Sequence, residues 1–151
     1  MDDIETAKEY IKNSSPKSKV YVGCDSRNTK SNTLYVTAIV VHLEGNRGAK
    51  VFAFADSVPR IRSMRQRLDQ EVFYALEKAI EIKDAVGNRE MEIHLDYHPS
   101  DKHKSNRSVE TSIGAVIGSQ FDYALKPHAH AASSAADYLG RNNVQFKSPR
   151  S

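Results

Sequence analysis

Acidic side chains stand at the ends of two segments that have the composition of buried strands. Asp25 follows the β-rich run of residues 19–24, and Asp96 follows a similar run at residues 91–95. Glu71 lies between these two acids, in a stretch with helical periodicity. Because burying a lone carboxylate costs several kcal/mol, we expect such acids to be solvated or paired with a positive charge.

A fourth acid, Asp137, lies in a later segment of small residues, so the acids come in the order Asp, Glu, Asp, Asp. Converging acids repel one another unless a cation lies among them, and Mg²⁺ prefers oxygen ligands. Two ions about 3.5–4 Å apart stabilise the attacking and leaving oxygens of a phosphodiester. We therefore predict a nuclease that uses two Mg²⁺ or Mn²⁺ ions, bridged by Asp25. Glu71 and Asp96 are expected to flank it, and Asp137 to hold the more exposed ion.

Each of these acids also has an ordinary interpretation. Asp25 and Asp96 are acceptable as turn-forming or solvated residues after strands, and Asp137 as a solvated acid on a helix. Glu71 shares a helix face with two later alanines, and a glutamate at such a boundary ordinarily extends to water. The joint placement of all four acids at the right ends of the right elements favours a site over independent accidents.

The composition is that of a globular protein with one domain. The 151 residues are 39% hydrophobic and 27% charged, which is enough for a core. The net charge of +3 permits a nucleic-acid partner without requiring one. The single cysteine, Cys24, excludes an internal disulfide and a zinc site of several thiolates. No apolar run is long enough to span a membrane and the first residues lack signal-peptide form, so we expect a cytoplasmic location.

Hydrophobic periodicity predicts an α/β fold that begins with an antiparallel meander. Three strands and a long helix come first, and strands then alternate with helices. This order predicts a mixed five-stranded sheet with helices on both faces, in which sites form at the carboxyl ends of strands. The predicted strands are 18–24, 33–43, 49–55, 91–97 and 121–125, and the predicted helices are 3–12, 60–83, 109–119 and 129–141.

Basic side chains cluster near the predicted site and suit phosphate contact better than base recognition. Arginines crowd the start of the long helix, and a lysine-rich loop follows Asp96. The residues that we expect to contact nucleic acid are Ser26, Arg27, Lys102, Lys104 and Arg107. His128 and His130 are candidates for proton transfer. Because the net charge is small, an ordinary solvated charge is the alternative for each basic residue.

Several segments that carry these residues resemble a known family. They are Val22-Gly23-Cys24-Asp25-Ser26, Asp69-Gln70-Glu71, Glu92-Ile93-His94-Leu95-Asp96, and Lys126-Pro127 followed by residues 131–137. Over residues 18–141 the chain resembles the YkuK-like family of ribonuclease H-like proteins, which usually has Gly-Thr-Asp-Ser where this chain has Gly-Cys-Asp-Ser. The resemblance implies the ribonuclease H-like fold and metal-dependent chemistry, and says less about a biological substrate.

The substrate and the class of function leave alternatives. The predicted nuclease would cut RNA in RNA–DNA hybrids or structured DNA, as a monomer or a homodimer, and a Holliday-junction resolvase is the alternative enzyme. A non-catalytic nucleic-acid-binding module with the same fold is the alternative from another class, and four mutually repelling acids argue against it. We expect the domain at residues 18–141, after a helix and linker at 1–17 and before a tail at 142–151.

Overall fold

Strand β1 (Lys19–Asn28) lies at the centre of a five-stranded mixed sheet. The computed structural model of the protein describes residues 2–44, 48–95, 114, 118 and 121–125. β1 pairs antiparallel with β2 (Asn32–His42), which pairs antiparallel with β3 (Ala49–Pro59). On its other side β1 pairs in parallel with β4 (Glu90–Leu95), which pairs in parallel with β5 (Asp122–Leu125). The order β3-β2-β1-β4-β5 confirms the predicted mixed sheet.

Helix α2 (Met64–Val86) follows the three antiparallel strands and has a cap at each end. The Ser63 hydroxyl accepts a hydrogen bond from the Gln66 amide at 3.3 Å, and Gly87 ends the helix with a φ of 59°, which favours glycine. The sequence predicted a start at residue 60. The helix starts later because the Ile61 amide donates to the Thr33 hydroxyl at 2.8 Å, which holds the preceding linker against the first hairpin.

The two faces of the sheet carry separate apolar clusters, because side chains alternate along each strand. Val20, Val22 and Cys24 of β1 face α2 and form the larger cluster with its apolar stripe. Full burial of such a side chain contributes roughly 1.5–3 kcal/mol. The opposite face carries a smaller cluster, which comprises Leu34, Val36, Ala38, Ala53 and Ala55. Both faces of the sheet therefore carry buried apolar side chains, and the helices that flank it among the described residues, α1 and α2, contribute to the larger cluster.

The N-terminal helix α1 (Ile4–Asn13) confirms the helix predicted at 3–12. Its Ala7 and Ile11 are fully buried in the same cluster as α2, so this helix packs into the core of the domain. Further along, Gly114 and Gly118 are helical, in agreement with the helix predicted at 109–119. Among the described residues, no helix is long and apolar enough to cross a membrane.

Two strands extend further than the sequence pattern indicated. β1 continues to Asn28, where we predicted a turn, and β3 continues to Pro59. The cause is the ladder between neighbouring strands, in which Asn28 pairs with Thr33 and Asn32 with Pro59. Pairing to a neighbour supplies backbone hydrogen bonds to polar residues whose intrinsic strand propensity is low. Asp25 therefore lies within β1 rather than at its end.

Ser18, at the entry to β1, is a buried serine whose replacement should be harmless. It is 1% exposed, and its hydroxyl has no hydrogen-bond partner within the part of the chain that the structure describes. A buried hydroxyl without a partner opposes folding, so Ser18→Ala is expected to leave the free energy of unfolding unchanged or raise it by up to about 1 kcal/mol. Urea denaturation measures this, and a loss of stability would show that the hydroxyl is bonded.

Candidate active site

The carboxyl end of β4 lies beside the middle of β1, because the two strands run parallel and β1 continues to Asn28. In their register Gly23 pairs with His94, and Asp25 follows Gly23 by two positions. The edge between parallel strands at a change of strand order is where open α/β sheets place their sites. We therefore expect the chemistry of the protein at this edge, where β4 ends beside β1.

The Asp25 side chain is half-buried on the face of the sheet opposite α2. Its cross-strand partner is Val36, which in turn pairs with Ala55, and both partners belong to the smaller apolar cluster. A half-buried aspartate beside an apolar neighbour is partly desolvated, so its charge interacts strongly with any nearby cation.

A second pair of polar side chains lies on the same face as Asp25. The rings of Tyr21 and His94 stack with their centroids 4.7 Å apart, and His94 Nε2 lies 2.9 Å from Glu92 Oε1. His94 is buried, and the Tyr21 ring stacks on its imidazole. These contacts fix β4 just before its last described residue, Leu95.

Glu71 lies on the buried face of α2, as its helical spacing with Ala75 and Ala79 indicated. Glu71 is 5% exposed, and the Ser26 hydroxyl of β1 donates a hydrogen bond to its Oε2 at 2.5 Å. A hydroxyl that donates to an ionised acceptor makes a charge-assisted bond, which is shorter and stronger than a neutral one. This bond joins the helix to the central strand of the sheet.

The Arg67 guanidinium contacts the same serine from one helical turn before Glu71. Its Nη2 donates to the Ser26 carbonyl at 3.1 Å and to Ser26 Oγ at 3.3 Å, and its Nε lies 3.4 Å from Oγ. The Arg67 carbonyl accepts a hydrogen bond from the Tyr35 hydroxyl of β2 at 3.4 Å. Arg67, Ser26 and Glu71 therefore form a continuous polar chain between α2 and the sheet.

The two residues after Asp25 differ in their surroundings. Ser26, which we predicted to contact nucleic acid, is buried on the α2 face with its hydroxyl bonded to Glu71. Arg27, predicted to do the same, is partly exposed and lies on the face of Asp25 by strand alternation. Because β1 was predicted to end at residue 24, the sequence pattern did not predict which face of the sheet Ser26 and Arg27 would occupy.

The Cys24 thiol lies among several carboxylates. Burial raises the pKa of this thiol well above its usual range, and the charges of Glu71, Asp25 and Asp56 raise it further. Asp25 and Glu71 therefore lie within electrostatic reach of one point, although strand alternation places them on opposite sides of β1.

Asp56 is a further acid near the site, in addition to the four predicted ones. It lies in the extension of β3, where its cross-strand partner Tyr35 faces α2. Burial raises the pKa of Tyr74 on α2, and the charge of Asp56 raises it further. If the alternation of side chains in β3 is continued past its predicted end at residue 55, Asp56 falls on the face of the sheet that packs against α2.

The Cys24 thiol is expected to resist alkylation in the folded protein. At a pH of about 8, iodoacetamide should react at least about a hundredfold more slowly than with the chain unfolded in urea, because the thiolate is the reactive form. The thiol ionises near pH 8.5 in the unfolded chain, whereas its pKa in the folded protein is higher. The contribution of Cys24 to the free energy of unfolding is therefore fully present below about pH 8.5 and is lost as the pH rises above it. Mass spectrometry of the labelled fraction measures the rate, and equal rates would contradict the buried position.

Exposed arginines surround the start of α2. Arg60, Arg62 and Arg65 are all exposed, and Arg60 Nη1 donates to the Thr29 carbonyl of the β1–β2 turn at 2.7 Å. Arg65 Nε lies 4.0 Å from Asp69 Oδ2, a surface contact that neutralises little of the local charge. The cationic surface formed by these three arginines lies at the same end of α2 as Arg67.

The donor atoms near this edge fit a hard divalent cation. Asp25 and Glu71 offer carboxylate oxygens, which Mg²⁺ and Mn²⁺ prefer, while Cys24 keeps its proton and is a poor ligand. Within residues 2–44, 48–95 and 121–125, no group of three His, Cys, Asp or Glu side chains is arranged to hold a metal ion. The other predicted site residues, which lie outside the described residues, are Asp96, Lys102, Lys104, Arg107, His128, His130 and Asp137.

Comparison with known proteins gives a matching family and solved structures that are similar to the chain. The family described as Ribonuclease H-like matches residues 2–141. The chain is similar to the crystal structure of RNase H1 from the halophilic archaeon Halobacterium salinarum NRC-1, with 15% identity, a TM-score of 0.44, and coverage of 82% of this chain and 98% of that one. It is also similar to the N-terminal RNase H domain of a Mycobacterium tuberculosis protein solved as a fusion with maltose binding protein, with 14% identity, a TM-score of 0.41, and coverage of 83% and 98%. No curated protein matches the chain.

Proposed function

The chain belongs to the ribonuclease H-like family, and from this membership we propose that it is a metal-dependent nuclease that hydrolyses phosphodiester bonds in nucleic acid. The observation that carries the proposal is the buried Glu71 carboxylate, held by the Ser26 hydroxyl at the sheet edge where Asp25 lies. Burying an acid is costly unless its charge is used or compensated. Two acids within reach of the buried Cys24 at this edge support a catalytic role.

The acids that we propose as metal ligands are Asp25, Glu71, Asp96 and Asp137. Asp96 follows β4 directly in the chain. Gly23 and His94 are partners in the parallel ladder, and Asp25 and Asp96 each come two residues later in the sequence. This count supports an ion shared by the two aspartates. Glu71 approaches from α2, and Asp137 is proposed to complete the set.

When bound, Mg²⁺ or Mn²⁺, proposed as two ions, supplies Lewis-acid activation of the attacking water and of the phosphoryl oxygens. The role of the chain is to hold the ligands in place and keep competing donors away. The Ser26 hydroxyl donates to Glu71 and accepts from Arg67, and the raised pKa of the buried Cys24 thiol disfavours the thiolate that would compete for the ions. His128 or His130 is proposed to donate a proton to the leaving oxygen.

Nucleic acid is the proposed partner, bound mainly through its phosphates. The exposed arginines 60, 62 and 65 and the partly exposed Arg27 lie at the ends of β1, β3 and α2 that meet near Glu71. Lys102, Lys104 and Arg107 of the loop after Asp96 are proposed to extend this surface. Contacts of this kind fix the position of a strand and weaken as the salt concentration rises.

The proposed substrates are RNA in an RNA–DNA hybrid and structured DNA, including a four-way junction. We would test the purified protein on a labelled panel of single- and double-stranded RNA and DNA, a hybrid and a junction, in Mg²⁺ and in Mn²⁺, with Asp96→Asn as the control. Cutting that the substitution abolishes would support the nuclease. Binding of the panel without cutting, by folded protein that has bound Mn²⁺, would favour the non-catalytic binding module instead.

A further inference from the structure

We propose that Ser26 and Arg67 are positioning residues that hold the Glu71 carboxylate in its catalytic orientation, an inference that rests on the proposed nuclease function. Neither residue is required to touch the substrate in this role. The pair acts through hydrogen bonds that join the central strand to α2.

The direction of each hydrogen bond follows from the donors available. A guanidinium can only donate, so the Ser26 oxygen accepts from Arg67 at 3.3 Å. A hydroxyl has a single proton to donate. Because Arg67 donates to the lone pairs of the Ser26 oxygen, the hydroxyl proton is directed to Glu71 Oε2, 2.5 Å away. Arg67 thereby orients the serine, and the serine orients the glutamate. The carboxylate is thus held by a directional contact rather than by packing alone.

Arg67 is itself fixed on two sides. Its backbone amide donates to the Ser63 carbonyl at 3.0 Å in the first turn of α2, and its carbonyl accepts from the buried Tyr35 hydroxyl. The guanidinium also bonds the Ser26 carbonyl at 3.1 Å, which ties it to the strand backbone. The chain of contacts therefore begins and ends on rigid elements of the fold.

The position of Ser26 in the sequence explains what the pair achieves. Ser26 directly follows Asp25 in β1, and strand alternation sends the two side chains to opposite faces. The backbone at residues 25–26 therefore carries one proposed metal ligand, Asp25, and positions another, Glu71, through the Ser26 hydroxyl. Small displacements of catalytic groups have large effects on rate, so we expect the serine hydroxyl to influence turnover more than substrate binding.

The decisive comparison is between Ser26→Ala, which removes the hydroxyl, and Ser26→Thr, which keeps it. Ser26→Ala is expected to lower kcat and Mn²⁺ affinity about 10–100-fold, the usual effect of removing a partner of a metal ligand, with KM within about twofold. Ser26→Thr should restore most of the activity. Arg67→Gln keeps one hydrogen-bond donor but loses the paired donors of the guanidinium, so its kcat and Mn²⁺ affinity should fall between those of the two Ser26 variants. It also serves as the second variant if the Ser26→Ala protein does not fold.

Ser18→Ala is the matched control, since it is the same change at a buried serine that directly precedes the same strand, eight residues and about 26 Å of extended chain before Ser26. It should not alter kcat or Mn²⁺ affinity. Equal kcat and Mn²⁺ affinity in wild type and folded Ser26→Ala would overturn the proposal and leave the serine a purely structural role.

Crystal structures of wild type and the Ser26 variants separate this inference from the nuclease itself. We expect Glu71 in one conformer in wild type and Ser26→Thr, and a displaced or divided carboxylate in Ser26→Ala. A wild type that neither binds Mn²⁺ nor cuts would refute the nuclease, while the crystals would still decide the positioning role. An unmoved Glu71 in Ser26→Ala would refute that role even in an active nuclease.

Discussion

Replacing Asp25 with asparagine is expected to reduce phosphodiester cleavage by about a thousandfold or more. Metal ions stabilise the charge of the transition state by several kcal/mol, and a loss of about 4 kcal/mol corresponds to about a thousandfold in rate. The substitution keeps the size of the side chain, so we expect the pairing of β1 with β2 at Val36 to stay intact. Cleavage rates with the preferred substrate, together with Mn²⁺ affinity from electron paramagnetic resonance, measure the effect.

The stability of the same variant distinguishes a site acid from a structural one. Removing one of several mutually repelling carboxylates should leave the metal-free protein as stable as wild type or slightly more stable. Asp122→Asn, the same change at an exposed strand residue, is the control and should cut at the wild-type rate. Wild-type cleavage and Mn²⁺ affinity in Asp25→Asn would refute the proposed metal ligand.

Replacing Arg89 with alanine is expected to lower the free energy of unfolding by about 3 kcal/mol, the largest loss of stability that we predict for a single side chain. Its guanidinium donates to five backbone carbonyls at the ends of α1 and α2, at 2.7–3.4 Å, and these belong to Lys12, Ser14, Ser15, Ala85 and Val86. A cation at a helix C-terminus also interacts favourably with the helix dipole. Hydrogen bonds to charged groups contribute about 1.5–3 kcal/mol each, and their sum is less than additive when they share one group.

Urea denaturation and calorimetry measure the effect of Arg89→Ala, which should lower the Tm by roughly 6–12 °C for a domain of this size. Arg89→Lys keeps the charge but lacks the planar fork, so we expect an intermediate loss. Arg62→Ala, at an exposed arginine, should change stability by less than about 0.5 kcal/mol. An Arg89→Ala protein as stable as Arg62→Ala would show that water replaces these contacts without loss.

Local sequence patterns were sufficient to predict the main elements and the buried side of α2. The spacing of Glu71 with Ala75 and Ala79 placed the glutamate on the packed face, and that face is buried. The alternation of apolar residues placed the strands in their observed order along the chain. These features follow from the periods of helix and strand, which depend only on neighbouring residues.

The family was also accessible from sequence, because the motifs around Asp25, Glu71 and Asp96 carried the resemblance that the family match over residues 2–141 confirms. The roles of individual acids stay predictions. A residue type at a given spacing indicates a chemistry, but the distances between side chains from different elements depend on how those elements pack.

The local sequence determined that Glu71 would lie at the packed face of α2 and that Asp25 would follow the apolar run of β1. The tertiary structure decided how deeply each is buried and what surrounds it. Pairing with β2 extends β1 past its apolar run and places the side chains of Asp25 and Ser26 on opposite faces of the sheet. The Ser26 hydroxyl can therefore donate a hydrogen bond to Glu71. Arg89 reaches carbonyls more than seventy positions earlier in the chain. Such contacts join residues that are distant in sequence, and strand register and helix packing bring them together only when the whole core forms, so no local pattern contains them.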